Sequence, residues 1–182
     1  MSENVGVSSG RWLIVGCGNP DAGDDSVGLE IVRRLRTRGD CGCELRTETA
    51  PGVDLLDVFP LADVILFVDA VVSGGAPGNL YLTSLPSKEL EPRALGSLSS
   101  HGWGIGEVVK LAEALGWPLP RLYFLGIEAG LVAEGAPRSA AVEEAIALVV
   151  ERVSALKLLL LRSGVLATRS FPPNDHSFPG PA

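Results

Sequence analysis

The chain has 182 residues, of which 46% are hydrophobic, and a formal net charge of −7. That length suits one domain with a sizeable core, and so apolar a composition excludes a disordered or purely solvating segment. A negative field with no Lys/Arg block argues against nucleic acid and anionic lipid as partners, while leaving room for a bound cation or a basic protein tail.

Residues 1–10 are polar and lack the charged start and long apolar stretch of a secretory signal. Trp12-Leu13-Ile14-Val15-Gly16 reads as a buried first strand that stops in the turn cluster Gly16-Cys17-Gly18-Asn19-Pro20. Asp24-Asp25-Ser26 offers helix N-cap chemistry. Val27, Ile31 and Leu35 follow at helical spacing, with Arg33, Arg34 and Arg36 toward the end favoured by the helix dipole. Gly39 and Asp40 end this helix.

Cys43 to Thr49 alternates as a half-exposed strand does. Pro51-Gly52 turns the chain into a short helix around Asp54 to Phe59. Val64-Ile65-Leu66-Phe67-Val68 is the clearest central strand, with Asp69 at its C-terminal end. Ser73 to Gly78 is a loop, Asn79 to Leu82 a strand, and 83–100 irregular. A helix carries Ile105, Val108, Val109, Ala112 and Leu115 on one face and ends at Trp117-Pro118. Leu122 to Ile127 is a strand, and Ser139 to Leu161 a long helix with Val142, Ile146, Val149, Val150 and Val153 inward. Its last residues, Ala155 to Arg162, are interrupted by charge and too short for a membrane span, which needs about 20 apolar residues. With no span and no signal, the expected location is the cytoplasm.

Strands alternating with helices predict an α/β fold: a three-layer sandwich with an about five-stranded, mostly parallel, twisted sheet covered by helices on both faces. Residues 1–165 form the single domain, and 166–182 a Pro-rich, flexible tail around Phe171-Pro172-Pro173 and Phe178-Pro179.

Ligands of open α/β sheets bind beyond the C-terminal strand ends, where the strand order reverses. Asp25, Asp69 and His101 are the residues of chemical interest there. Each also has a plainer reading: Asp24 and Asp25 as N-caps, Asp69 as a turn-forming residue, and His101 as an ordinary hydrogen-bonding residue. An unpaired carboxylate on a buried strand costs several kcal/mol, which singles out Asp69. Two carboxylates and an imidazole suit zinc, nickel or another first-row divalent ion and leave coordination positions open. Gly16-Cys17-Gly18 suggests a dinucleotide fingerprint, but Asp21 stands where its third glycine belongs. A nucleotide-binding oxidoreductase is therefore the weaker alternative, and no organic cofactor is expected. Cys17, Cys41 and Cys43 have no disulfide spacing; Cys41-Gly42-Cys43 reads as a loop entering a strand, and Cys17 as a packing residue. Neither Cys17 nor Ser26 has a convincing His partner for nucleophilic catalysis.

Six pieces occur in order: Gly16-Cys17-Gly18-Asn19-Pro20, Gly23-Asp24-Asp25 with Val27-Gly28, Phe67-Val68-Asp69-Ala70, Pro77-Gly78, Ser99-Ser100-His101-Gly102 and Gly126-Ile127-Glu128. Over residues 11–155 this set resembles the hydrogenase maturation proteases. The resemblance implies an endopeptidase that removes a C-terminal extension from a [NiFe]-hydrogenase large-subunit precursor once nickel is in place. It carries the family's metal-contacting positions to Asp25, Asp69 and His101, which would serve both nickel recognition and catalysis. The nickel is borne by the substrate, and one of the two carboxylates would activate water as general base. The resemblance further implies a monomer whose partner is the precursor. A non-catalytic nickel-sensing chaperone would use the same three residues. Two departures stand out. Many relatives have Glu where this chain has Asp25, and an Asp-Gly-Gly-Thr stretch where it reads Thr47-Glu48-Thr49-Ala50, so Glu48 is a substitute candidate.

Overall fold

A computed structural model describes residues 10–49, 51–86, 104–163, 169–172 and 178. His101 and most of the irregular segment 83–100 lie outside the described residues.

The elements in chain order are β1 (Trp12–Cys17), a 3-10 turn (Gly23–Ser26), α1 (Val27–Arg38), β2 (Glu44–Glu48), a 3-10 helix (Val53–Leu61), β3 (Val64–Val71), β4 (Leu80–Leu85), α2 (Ile105–Ala114), β5 (Arg121–Glu128), α3 (Ala140–Ser163) and β6 (Arg169–Phe171). The sheet order is β2-β1-β3-β5-β4-β6, with β2, β1, β3 and β5 parallel and β4 antiparallel to both of its neighbours.

Alternation along the strands divides the core. Trp12, Ile14, Val64, Leu66, Val68, Leu125 and Ile127 pack under α1 and α3; Leu13, Val15, Ile65, Phe67, Leu122 and Phe124 pack under α2 and the Val53–Leu61 helix. The three layers are those expected. α1 buries Val27, Ile31 and Leu35 and stops at Gly39, whose φ of 74° lets its N–H reach the Leu35 carbonyl at 3.0 Å. α3 buries Val142, Ile146, Val149, Val153, Leu156 and Leu160 along one stripe. The Tyr123 hydroxyl donates to the Leu160 carbonyl at 3.0 Å and ties this stripe to β5.

The structure differs from the sequence reading in several places; β4 runs on to Leu85, and Leu115 is exposed rather than on the buried face of its helix. Among the described residues the sheet has six strands, where about five were expected. Residues 72–79 between β3 and β4 are fewer than the dozen or so a parallel crossover needs, so β4 returns antiparallel. β3 runs on through Val71, placing Asp69 inside the strand rather than at its end. The helix around Asp54–Phe59 is 3-10 and contains Pro60, which has no N–H for an α-helical bond. Within 166–182, Arg169–Phe171 pairs with Leu80–Leu82, and Phe178 is fully buried, edge-on to Phe171 with ring centroids 5.3 Å apart.

Candidate active site at the carboxyl edge of the sheet

From β1 the chain moves to β2 on one flank and then to β3 on the other, so the strand order reverses between β1 and β3. In such sheets the usual ligand position is beyond the C-terminal ends of these strands. Asp25 comes to this edge on the turn after β1, and Asp69 on β3. α2, which precedes β5, packs Ile105, Val108 and Val109 against the sheet face that carries Leu13, Val15 and Phe67.

Close packing shapes the turn. Gly28, early in α1, lies against the β1–β3 backbone; a Cβ there would sit 2.2 Å from the Val68 carbonyl oxygen. The helix can therefore approach the strands closely only with glycine at this position.

Asp25 Oδ2 accepts the Asn19 N–H at 3.1 Å, and Asp69 Oδ1 accepts the Ala70 N–H at 2.8 Å. Asp69 is the partly exposed position in a strand whose other residues are buried. Burial pushes its carboxyl up to about 7; the Ala70 N–H works against this, and the charge of Asp25 adds to it. Burial also raises Asp25, opposed by the Asn19 N–H. The two carboxylates therefore sense each other in poorly solvated surroundings. Cys17 ends β1 fully buried, opposite Glu48 in register. Burial and then the charges of Asp69 and Glu48 raise its thiol well above the ordinary range, which removes it as a thiolate nucleophile.

This donor chemistry suits a divalent cation, which would relieve two carboxylates that burial and mutual repulsion disfavour. The described residues supply these two; among them no group of three His, Cys, Asp or Glu side chains is placed to hold a metal. Of the three residues picked out in the sequence, two are thus at one edge, and His101 is outside the described residues.

Two buried carboxylates beside the site went unrecognised in the sequence. Neither Asp24 nor Asp25 caps its turn by a side-chain hydrogen bond. Asp24, fully buried, instead accepts the N–H groups of Gly130 and Leu131 at 2.9 Å, the Ser139 N–H at 2.6 Å and the Ser139 hydroxyl at 2.9 Å. Burial alone would raise its pKa; these hydrogen bonds outweigh that and hold it below the ordinary value. Asp24 fixes the β5–α3 loop next to Asp25. Glu128, 1% exposed at the end of β5, does the same for the β3–β4 loop. Its Oε1 accepts the N–H groups of Ser73, Gly74 and Gly75 at 2.8, 2.9 and 3.1 Å, and its Oε2 the Ser73 hydroxyl at 2.6 Å. The paired Asp24-Asp25 and the Ser73-Gly74-Gly75 run were the available signals; their partners lie too far along the chain for spacing to reveal.

The fold defines a doubly wound α/β protein with two carboxylates, Asp25 and Asp69, near its switch point, and comparison with known proteins narrows the class. The family model for HycI, hydrogenase maturation protease, matches residues 49–156. A solution structure of an endopeptidase from Escherichia coli is similar at 26% identity and a TM-score of 0.68, covering 85% of this chain and 94% of that one. The hydrogenase maturating endopeptidase HybD from E. coli is similar at 23% identity and a TM-score of 0.66, covering 88% and 96%. The [NiFe] hydrogenase maturation protease HycI from Thermococcus kodakarensis KOD1 is similar at 23% and 0.62, covering 81% and 92%. A search of curated proteins found no match. The chain belongs to the hydrogenase maturation protease family. It is an endopeptidase of the kind that processes the C-terminus of the hydrogenase large subunit.

Proposed function

We propose that this protease recognises its precursor through nickel already inserted in the large subunit, on a site formed by Asp25, Asp69 and His101. The observation that carries the reading is the pair Asp25 and Asp69, two carboxylates at one edge of the sheet whose charges oppose each other. A metal-loaded substrate relieves that opposition, whereas a metal-free precursor does not. α2 begins four residues after His101 in the sequence, and His101 stands in the Ser99-Ser100-His101-Gly102 piece of the family resemblance, which favours an imidazole as the third ligand.

In this reading nickel is part of the substrate, and docking it sets the scissile peptide beside the carboxylates. Whichever of Asp25 and Asp69 keeps an oxygen free takes a proton from the attacking water, making this an aspartic-type hydrolysis. The enzyme works in the cytoplasm as a monomer, and Arg169–Phe171 and Phe178 belong to the same domain as the rest of the sheet and core. Among the described residues no helix is long and apolar enough to cross a membrane.

The test incubates nickel-loaded and nickel-free precursor with the wild-type protein and with Asp25→Ala, Asp69→Ala and His101→Ala, following chain shortening by mass spectrometry. Wild type shortens only the loaded precursor, and each variant loses this activity. Normal processing by Asp69→Ala would remove the assignment.

A further inference from the structure

The β3–β4 loop begins three residues beyond Asp69, at the same edge of the sheet. Three consecutive N–H groups, those of Ser73, Gly74 and Gly75, converge on a single oxygen of Glu128. Successive amides arranged in this way form a concavity that commonly receives an anion from solution. Here the neighbouring strand supplies the anion, and the concavity is filled from within.

The backbone continues the lock. Glu128 donates its N–H to the Asn79 carbonyl at 2.9 Å and accepts the Gly78 N–H at 2.9 Å. Pro77 packs against Gly130, where a Cβ would lie 2.8 Å from its ring. Gly130 is in turn bound to Asp24. The loop after β3 and the loop after β5 are thus joined, and Val72, Leu131 and Val132 project from them, 45%, 48% and 40% exposed. Large apolar side chains left in water on anchored loops beside a protease cleft are suited to contact a polypeptide substrate.

We infer that Glu128 is a positioning residue for the precursor: by filling the amide concavity of Ser73-Gly74-Gly75 it holds the β3–β4 loop as one wall of the cleft. It touches neither the scissile bond nor the carboxylates, so it acts on capture of the substrate and not on the hydrolytic step. The inference takes Asp69 as part of the site and so rests on that reading.

The test measures kcat and KM on nickel-loaded precursor for Glu128→Ala, Glu128→Gln, Gly75→Ala and the double variant Gly75→Ala/Tyr81→Phe, with Asp69→Ala alongside. Glu128→Ala strands three amides and raises KM about tenfold with kcat little changed. Glu128→Gln recovers most of the loss, because its amide oxygen still accepts the three N–H groups. A Cβ on Gly75 would lie 2.3 Å from the Tyr81 hydroxyl oxygen and 3.3 Å from Asn79 Nδ2 and Glu128 Oε2, so Gly75→Ala moves the loop chiefly through Tyr81 while the Glu128 carboxylate remains present. It should raise KM, and removal of that hydroxyl in the double variant should restore it. If Glu128→Ala does not fold, the Gly75 pair decides alone. Unchanged KM in the folded loop variants overturns the inference, as does a kcat that falls in step with melting temperature. Should Asp69→Ala process normally, the site assignment fails independently of this result.

Discussion

Gly18 and Asp25 are packed backbone to backbone: a Cβ on Gly18 would lie 1.9 Å from the Asp25 carbonyl oxygen, and Gly18 holds φ at 139°. Both the contact and the dihedral demand glycine. Gly18→Ala is therefore expected to cost about 2 kcal/mol or more and to displace Asp25, abolishing precursor processing. Urea denaturation with a processing assay checks this; wild-type values in both would contradict it.

Asp69 makes a pH-dependent contribution whose sign is unusual for a carboxylate. Its folded-state value, about 7, is above the ordinary 3.8, so between these pH values the native state binds more protons than the unfolded chain. Stability is thus lost as pH rises through this window, and the loss is complete above about 7. Asp69→Asn keeps the acceptor for the Ala70 N–H and removes the charge. It should stabilise the metal-free protein at pH 8, by roughly 2–4 kcal/mol, while ending processing. The gain should shrink steadily toward pH 4. Equal melting temperatures of the two proteins at pH 8 would refute the prediction.

Glu30 titrates in the opposite sense. It accepts hydrogen bonds from Arg33 Nε and Nη2 and from Arg34 Nε, all at 2.7 Å, while Arg34 and Arg138 both bond to Glu143 on α3. The Arg33 hydrogen bond, working against burial and helped by Arg34, lowers its carboxyl from 4.5 to about 2. This stabilisation is fully present above pH 4.5 and is lost as pH falls toward 2. Glu30→Gln should cost on the order of 2 kcal/mol at pH 7, discounted for the exposure of Arg33, and almost nothing at pH 2. Denaturation curves at the two pH values give the comparison, and a cost independent of pH would count against it.

Phe178 ties the end of the chain to the domain. Its ring is fully buried against Phe171, and its carbonyl accepts a hydrogen bond from Arg152 Nη1 at 2.7 Å. Phe178→Ala should lower stability by about 3 kcal/mol in urea denaturation. A loss below about 0.5 kcal/mol would show that this segment contributes nothing to the fold.

What could be read in the sequence was what local periodicity encodes. β1 and β3 are uninterrupted apolar runs, α1 and α3 carry apolar residues at helical spacing, and Asp69 stood out as a charge in an apolar strand. β6 was not legible: at three residues it is defined by its pairing with Leu80–Leu82, and Phe171 and Phe178 look like tail residues until they have a core to enter. The direction of β4 could have been deduced from the short connection after β3. Asp25 and Asp69 were legible as candidates by chemical type, whereas Asp24 read as a cap because its acceptor role depends on Gly130, Leu131 and Ser139. Glu128 depended in the same way on a loop 53–55 positions upstream. Contacts made only by folding leave no periodic trace.

The outermost strands also bear on how a peptide can arrive. On one rim, β2 sets Glu44, Arg46 and Glu48 along five residues; on the other, β6 offers three residues. Charge and brevity both discourage an incoming extended chain from zipping onto a sheet. A large-subunit tail thus gains little by adding itself as a strand to either rim, which leaves discrimination between one tail and another to side-chain contacts.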